Sequence, residues 1–114
     1  MILITGPLYS GKHHWAEVLQ QQDPTLTRLC ADVQEKARDC PDKESLTSLA
    51  DTLATEFDLL LFTETGCGVV PVDPQERLAR EQAGRLGILL AERADLVFEL
   101  CCGIPKCRKG EWTS

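Results

Sequence analysis

The chain has 114 residues, of which 43% are hydrophobic, and a formal net charge of −6. This composition predicts a single globular domain over residues 1–114 and argues against a disordered chain. A nucleic-acid-binding surface is also not expected, because the chain has no basic stripe. The longest strongly apolar run, residues 59–62, is too short to span a membrane, and residues 1–20 lack the apolar core of a signal peptide. We therefore expect a soluble, cytoplasmic protein.

The apolar pattern predicts strands that alternate with helices. In chain order, the elements predicted in the first half are a buried strand (1–5), a helix (12–22) ended by Asp23-Pro24, a short strand (27–31), a helical turn (33–38) ended near Cys40-Pro41, a surface helix (44–56) and a central strand (57–62). Such alternation indicates an α/β fold with a small, mostly parallel sheet that helices cover on both faces.

A long helix is predicted next, because Asp73 and Pro74 are typical of a helix cap and its first position, and a glutamate follows three residues after the cap. The helix is expected to run to about Arg93. Gly84 and Gly87 weaken it, and close packing against another element would explain them. Its expected inner face consists of Leu78, Gln82, Leu86, Leu89 and Leu90.

The last predicted strand covers residues 96–101. Gly103-Ile104-Pro105 is expected to break it, and the remaining residues are expected to form a tail. Cys101 and Cys102 are predicted to end this buried strand as reduced thiols, since free cysteine packs like a small apolar side chain. No Cys-x-x-Cys pair exists, so no metal site is predicted. An alternative is a metal or redox module built from Cys101, Cys102 and Cys107.

Residues 6–13 have the spacing of a phosphate-binding loop, Gly-x-x-x-x-Gly-Lys-[Ser/Thr], between a strand and a helix. Glycines allow the backbone to fold around phosphate oxygens, and the helix N-terminus adds partial positive charge. The lysine would then reach the outer phosphates. The alternative is a tight strand-to-helix turn with a solvated lysine. The expected nucleotide-binding residues are Gly6, Pro7, Leu8, Tyr9, Ser10, Gly11, Lys12 and His13.

The last position of this motif departs from the pattern. His13 stands where a hydroxyl normally binds Mg²⁺, which prefers oxygen ligands to imidazole. Pro7 also removes one backbone donor. We therefore expect phosphate binding with weakened Mg²⁺ binding. His13 and His14 would point in different directions on a helix, so we expect two half-exposed side chains rather than a metal pair.

Glu64 follows the predicted central strand closely, after Thr63. In a parallel sheet, functional groups lie at the carboxyl ends of the strands, so Glu64 and the loop are expected at one edge. Glu64 would there orient an acceptor hydroxyl or help to hold a Mg²⁺-bound water. The alternative is a solvated loop carboxylate.

Two separated stretches carry a resemblance to one family. The first is the strand and loop, residues 1–6 with Ser10-Gly11-Lys12. The second includes Thr63-Glu64-Thr65-Gly66-Cys67-Gly68-Val69-Val70-Pro71, then Arg77, Arg80, residues 83–86 and 94–97, and Gly103-Ile104-Pro105. Together they resemble the bifunctional adenosylcobinamide kinase/adenosylcobinamide-phosphate guanylyltransferase family of cobalamin biosynthesis. That family carries Asn-Glu-Val-Gly-x-Gly-x-Val-Pro and a later Gly-Ile-Pro.

The resemblance implies a P-loop fold of the RecA-like type, a homo-oligomer, and transfer of phosphate from ATP or GTP to a corrinoid (cobinamide) hydroxyl. Lys12 and Glu64 would be the catalytic residues. The family's longer middle section holds a histidine that becomes guanylylated, whereas this chain has no histidine between Asp23 and Glu56. Guanylyl transfer is therefore expected to be lost. The alternative is a non-catalytic nucleotide-binding regulator or partner subunit of corrinoid metabolism.

Overall fold

The structure, a computed structural model, describes residues 1–7, 10–64 and 73–111. Leu8 and Tyr9 of the predicted loop, and residues 65–71 of the family-like motif with Cys67, lie outside the described residues. The described elements are β1 (Ile2–Gly6), α1 (Lys12–Gln22), β2 (Leu29–Cys30), a 3₁₀ helix (Val33–Asp39), α2 (Lys43–Glu56), β3 (Leu59–Thr63), α3 (Pro74–Arg93), β4 (Leu96–Cys101) and β5 (Ile104–Lys109).

The five strands form one sheet in the order β2-β3-β1-β4-β5. β1 lies at the centre and is parallel to both neighbours, with Gly6 opposite Thr63 of β3. Of the five described strands, β5 is the one that is antiparallel to its neighbour. The predicted α/β fold with a mostly parallel sheet is therefore confirmed. Because β1 and β3 are parallel and in register, their carboxyl ends leave the sheet side by side.

The sheet separates two apolar cores, because side chains alternate between its faces. Leu3 and Leu60 pack on one face with residues of α2, α3 and the 3₁₀ helix. Ile4 and Leu61 pack on the other face against Leu19 of α1. Helices thus cover both faces, which explains the continuous apolar runs of β1 and β3.

Side-chain caps start two of the helices. The Ser45 amide donates to Asp42 Oδ1 at 2.8 Å at the start of α2, and the Gln75 amide donates to Asp73 Oδ1 at 3.0 Å at the start of α3. The predicted cap at Asp73 is confirmed, with Pro74 as the first residue of the helix. Among the described helices, none is long and apolar enough to cross a membrane.

The buried face of α3 differs from the prediction at one position. Gln82, Leu86 and Leu90 are buried, but Leu78 is 49% exposed, so its assignment to the inner face was wrong. At about 100° per residue, Leu78 lies roughly a quarter turn from the centre of the buried arc. Gln82 is satisfied within the core, since its Nε2 donates to the Cys40 carbonyl at 2.8 Å.

The two glycines of α3 have different surroundings. A methyl group on Gly87 would lie 3.2 Å from the ring of Phe62, so α3 packs closely on β3 there, as predicted. A methyl group on Gly84 would have no neighbour within 4 Å. The prediction of close packing was therefore wrong for Gly84, which lies on the exposed side of the helix.

The predicted tail is a strand. Cys102 and Gly103 have positive φ values, 51° and 78°, and connect β4 to β5 with Cys101 opposite Ile104. Two residues with positive φ are typical of the type I′ hairpin turn, whose twist matches that of the strands. β4 ends at Cys101, as predicted, but the prediction that Cys101 and Cys102 are buried there was wrong, because both are exposed and Leu100 is the last buried residue of the strand.

Candidate functional site

Three chain segments meet at the carboxyl edge of the sheet. The loop of residues 6–12 follows β1, and Glu64 follows β3, where its amide donates to the Gly6 carbonyl at 2.9 Å. β2 is parallel to β3 and ends two residues before Asp32. The structure thus brings Glu64 beside the loop and adds a second carboxylate, Asp32, at the same edge.

The motif glycines occupy positions that a larger residue would not fit. A side chain on Gly6 would approach Ser10 Oγ to 2.6 Å and the Leu100 carbonyl oxygen to 2.8 Å. Gly11 precedes α1 with φ +94°, in the left-handed region. These requirements hold for a phosphate-binding loop and for a purely structural turn alike.

Lys12 distinguishes the two interpretations. It is 6% exposed, and its ammonium donates to the carbonyls of Pro7 at 2.8 Å and Gly6 at 3.2 Å, with Ser10 Oγ at 3.5 Å. Burial lowers the pKa of Lys12, and the negative charges of Asp32 and Glu64 oppose this shift. The lysine is therefore not the solvated charge that a structural turn would carry, but a buried cation turned into its own loop.

The two histidines of α1 are both exposed, on the first turn of the helix. His13 replaces the motif's hydroxyl. Within residues 1–7, 10–64 and 73–111, no three His, Cys, Asp or Glu side chains are grouped so as to hold a metal ion.

Asp32 is the residue that sequence analysis missed. It has a left-handed backbone, with φ 53° and ψ 42°, which aspartate tolerates better than most residues. Thr63 Oγ1 lies 3.5 Å from its Oδ1, and the Thr63 amide donates to Gln34 Oε1 at 3.0 Å. A signal existed, because Asp32 directly follows the predicted strand 27–31, but so short a strand is a weak guide to the edge of a sheet.

A cleft of 460 Å³ opens between the loop and Asp32. Its volume is in the range of small-ligand sites. A larger hollow of 780 Å³ lies between α2 and α3, away from the motif residues. The 460 Å³ cleft beside the loop is lined by Ser10, Gly11, Lys12, His13, His14, Asp32, Leu61 and Thr63.

The β4–β5 turn supports the loop from outside the cleft. The Gly103 amide donates to the Ser10 carbonyl at 2.8 Å, and a methyl group on Gly11 would lie 3.2 Å from Gly103 Cα. Cys107 pairs with Phe98, three residues before Cys101 on β4, which is about 10 Å along the strand. The thiols of Cys101 and Cys107 are thus too far apart to share the zinc site of the alternative.

Comparison with known proteins assigns no family. No family model matches the chain, and no curated protein matches it. The function must therefore be inferred from the site itself. There a buried lysine at a helix N-terminus and Asp32 line one open cleft, and Glu64 follows the adjacent strand.

Proposed function

We propose that the chain binds ATP or GTP on residues 6–13 and is an adenosylcobinamide kinase-like P-loop protein of the RecA-like type. It would transfer the γ-phosphoryl group to a corrinoid hydroxyl, and the guanylyltransferase step would be lost. The observation that carries nucleotide binding is the buried ammonium of Lys12, held at the first turn of α1 beside a 460 Å³ cleft. The corrinoid acceptor and the homo-oligomer rest on the family resemblance described above.

Charge supports an anionic ligand at Lys12. Among the described residues, the ammonium bonds to neutral oxygens of its own loop, and a phosphate oxygen would be a stronger, charge-assisted partner. The N-terminus of α1 adds partial positive charge at the same point. A phosphate that drew Lys12 away from the loop carbonyls would gain both interactions.

Mg²⁺ would still have oxygen ligands without a hydroxyl at position 13. Asp32 and Glu64 are the two acids whose charge acts on Lys12, and Glu64, with the Thr63 hydroxyl in the cleft, would hold the ion. Mg²⁺ typically binds through one or two carboxylates together with substrate phosphates. When bound, the ion would neutralise phosphate charge that these carboxylates otherwise repel.

A second candidate is a non-catalytic nucleotide-binding regulator or partner subunit. The observation that favours it is His13, an exposed imidazole in place of the hydroxyl that would position the metal. In this case the nucleotide would bind with little dependence on Mg²⁺.

Calorimetric titration of ATP and GTP, each with and without Mg²⁺, tests both candidates. We expect Lys12→Ala to weaken binding about 10- to 100-fold, because hydrogen bonds to a charged group contribute about 1.5–3 kcal/mol. Lys36→Ala, at an exposed position of the 3₁₀ helix, is the matched control and should bind like the original chain.

Mg²⁺-dependent binding followed by phosphorylation of cobinamide would support the kinase. Binding without Mg²⁺ dependence and without transfer would support the regulator. If neither nucleotide binds the unmodified chain, both proposals are wrong.

A further inference from the structure

Asp32 and Glu64 are the two carboxylates beside the loop, and their positions differ. Asp32 lines the cleft together with Lys12 and Thr63. Glu64 is exposed and does not line it, although its backbone amide is bonded to Gly6. Of the two, Asp32 also opposes the lowering of the Lys12 pKa by burial more strongly. The carboxylate that faces a phosphate held by Lys12 is therefore Asp32.

The segment that follows Asp32 is anchored to the core and to β3. Val33 and Ala37 of the 3₁₀ helix are fully buried in the core with α2 and α3. Gln34, 6% exposed, accepts from the Thr63 amide and joins the start of this helix to the end of β3. The Asp32 carboxylate is thus an exposed group on a fixed backbone, which suits a residue that must accept a proton and release it to solvent.

We propose that Asp32 is the catalytic carboxylate of this site, a general base for the hydroxyl that attacks the nucleotide. The inference rests on the proposed function. The acceptor oxygen forms a bond to the γ-phosphorus while its proton passes to Asp32. The bond between the γ-phosphorus and the β–γ bridging oxygen breaks, and the nucleoside diphosphate leaves with that electron pair. Asp32 then returns the proton to water.

The experiment separates binding from transfer in the full chain. Affinity for Mg²⁺·ATP is measured by calorimetry, and phosphate transfer is measured with two acceptors, cobinamide and water. The variants are Asp32→Asn, which removes the proton acceptor at constant shape, Asp32→Glu, which retains a carboxylate, and Glu64→Gln. Asp39→Asn is the matched control, an exposed aspartate on the 3₁₀ helix outside the cleft.

We expect Asp32→Asn to bind Mg²⁺·ATP within about threefold of the original chain and to transfer phosphate at least about 100-fold more slowly, the usual contribution of a general base. Asp32→Glu should recover part of the rate, and Glu64→Gln should lose less than Asp32→Asn.

Three results would overturn the inference: transfer by Asp32→Asn at the original rate, a loss of affinity for Mg²⁺·ATP alone that explains the slower transfer, or nucleotide binding by the original chain with no transfer to either acceptor. In all three, the original chain still binds the nucleotide. Failure of the nucleotide-binding proposal is different, because it would appear as no binding by the unmodified chain, before any variant is made.

Discussion

The carboxylate of one residue, Asp58, holds the start of the outer strand β2 against β3. Asp58, just before β3, accepts hydrogen bonds from the amides of Thr27 and Arg28 at 3.2 and 3.1 Å and from the Arg28 guanidinium at 3.0 Å. The Arg28 carbonyl in turn accepts from the amides of Asp58 and Leu59. This exchange fixes the start of β2 against β3 and so determines where Asp32, four residues further on, leaves the sheet.

Acid titration tests the role of Asp58. Its hydrogen bonds and ion pair with Arg28 hold the pKa of Asp58 at about 2, below the ordinary value near 3.9. Since the folded-state pKa is depressed, the contribution to stability is complete above about pH 4 and is lost as the pH falls towards 2. We expect Asp58→Asn to lower Tm at neutral pH, and the difference from the original chain to shrink across this range.

Thermal unfolding followed by circular dichroism at several pH values measures the effect, with Asp39→Asn as the control. A Tm difference between Asp58→Asn and the original chain that stays constant from neutral pH to pH 2 would contradict this assignment.

At the scale of elements, α3 contains two glycines, which lower its helix propensity, and only one of them lies at a close contact with another element. Each glycine in a helix interior costs about 0.5–1 kcal/mol relative to alanine. Gly87 is retained where the ring of Phe62 approaches the helix, whereas nothing in the structure explains Gly84. The two positions therefore form a matched pair on the same helix.

We predict different outcomes for alanine at these two positions. Gly84→Ala should increase the free energy of unfolding by about 0.5–1 kcal/mol, because its methyl group meets no neighbour. Gly87→Ala should gain less or lose stability, because its methyl group would lie 3.2 Å from the ring of Phe62. Urea denaturation measures both, and equal gains would show that the close packing of α3 on β3 carries no cost.

At the scale of the whole molecule, contacts between residues distant in sequence lie at both ends of β1. The N-terminal ammonium of Met1 pairs with Asp95 at 2.7 Å, and the Gly103 amide bonds to the Ser10 carbonyl at 2.8 Å. The β4–β5 hairpin therefore supports the loop of residues 6–13, although it contributes no side chain to the cleft lining. A ligand that stabilises this loop should stabilise the turn as well.

Amide hydrogen exchange tests this coupling. With ATP at 100 times its Kd, we expect exchange at Gly103 to slow by up to about 100-fold, the limit set by linkage if opening of the turn abolishes binding. The amide of Lys109, at the far end of β5, should change less, and Lys12→Ala should remove the effect. If ATP binds while Gly103 exchanges at an unchanged rate, the turn does not support the loop.

The sequence alone determined the kind and place of nearly every element. The signals that predicted these elements each extend over about ten residues or fewer, so they can be recognised in the sequence alone. They are the apolar runs, the cap at Asp73 and the spacing of Gly6, Gly11 and Lys12. The same signals predicted that Glu64 would lie beside the loop, because parallel strands share a carboxyl edge.

Only the tertiary structure decided the strand order, the pairing of β5 with β4, the exposure of Leu78 and the place of Asp32 in the cleft. It also decided that Lys12 is buried rather than solvated. The β4–β5 pairing and the hydrogen bonds of Lys12 are short-range. The strand order, the exposure of Leu78 and the place of Asp32 depend on contacts between segments far apart in the chain, such as β3 against β2 and α3 over the sheet. Local propensity carries no information about such contacts, since they depend on which surfaces the folded chain brings together.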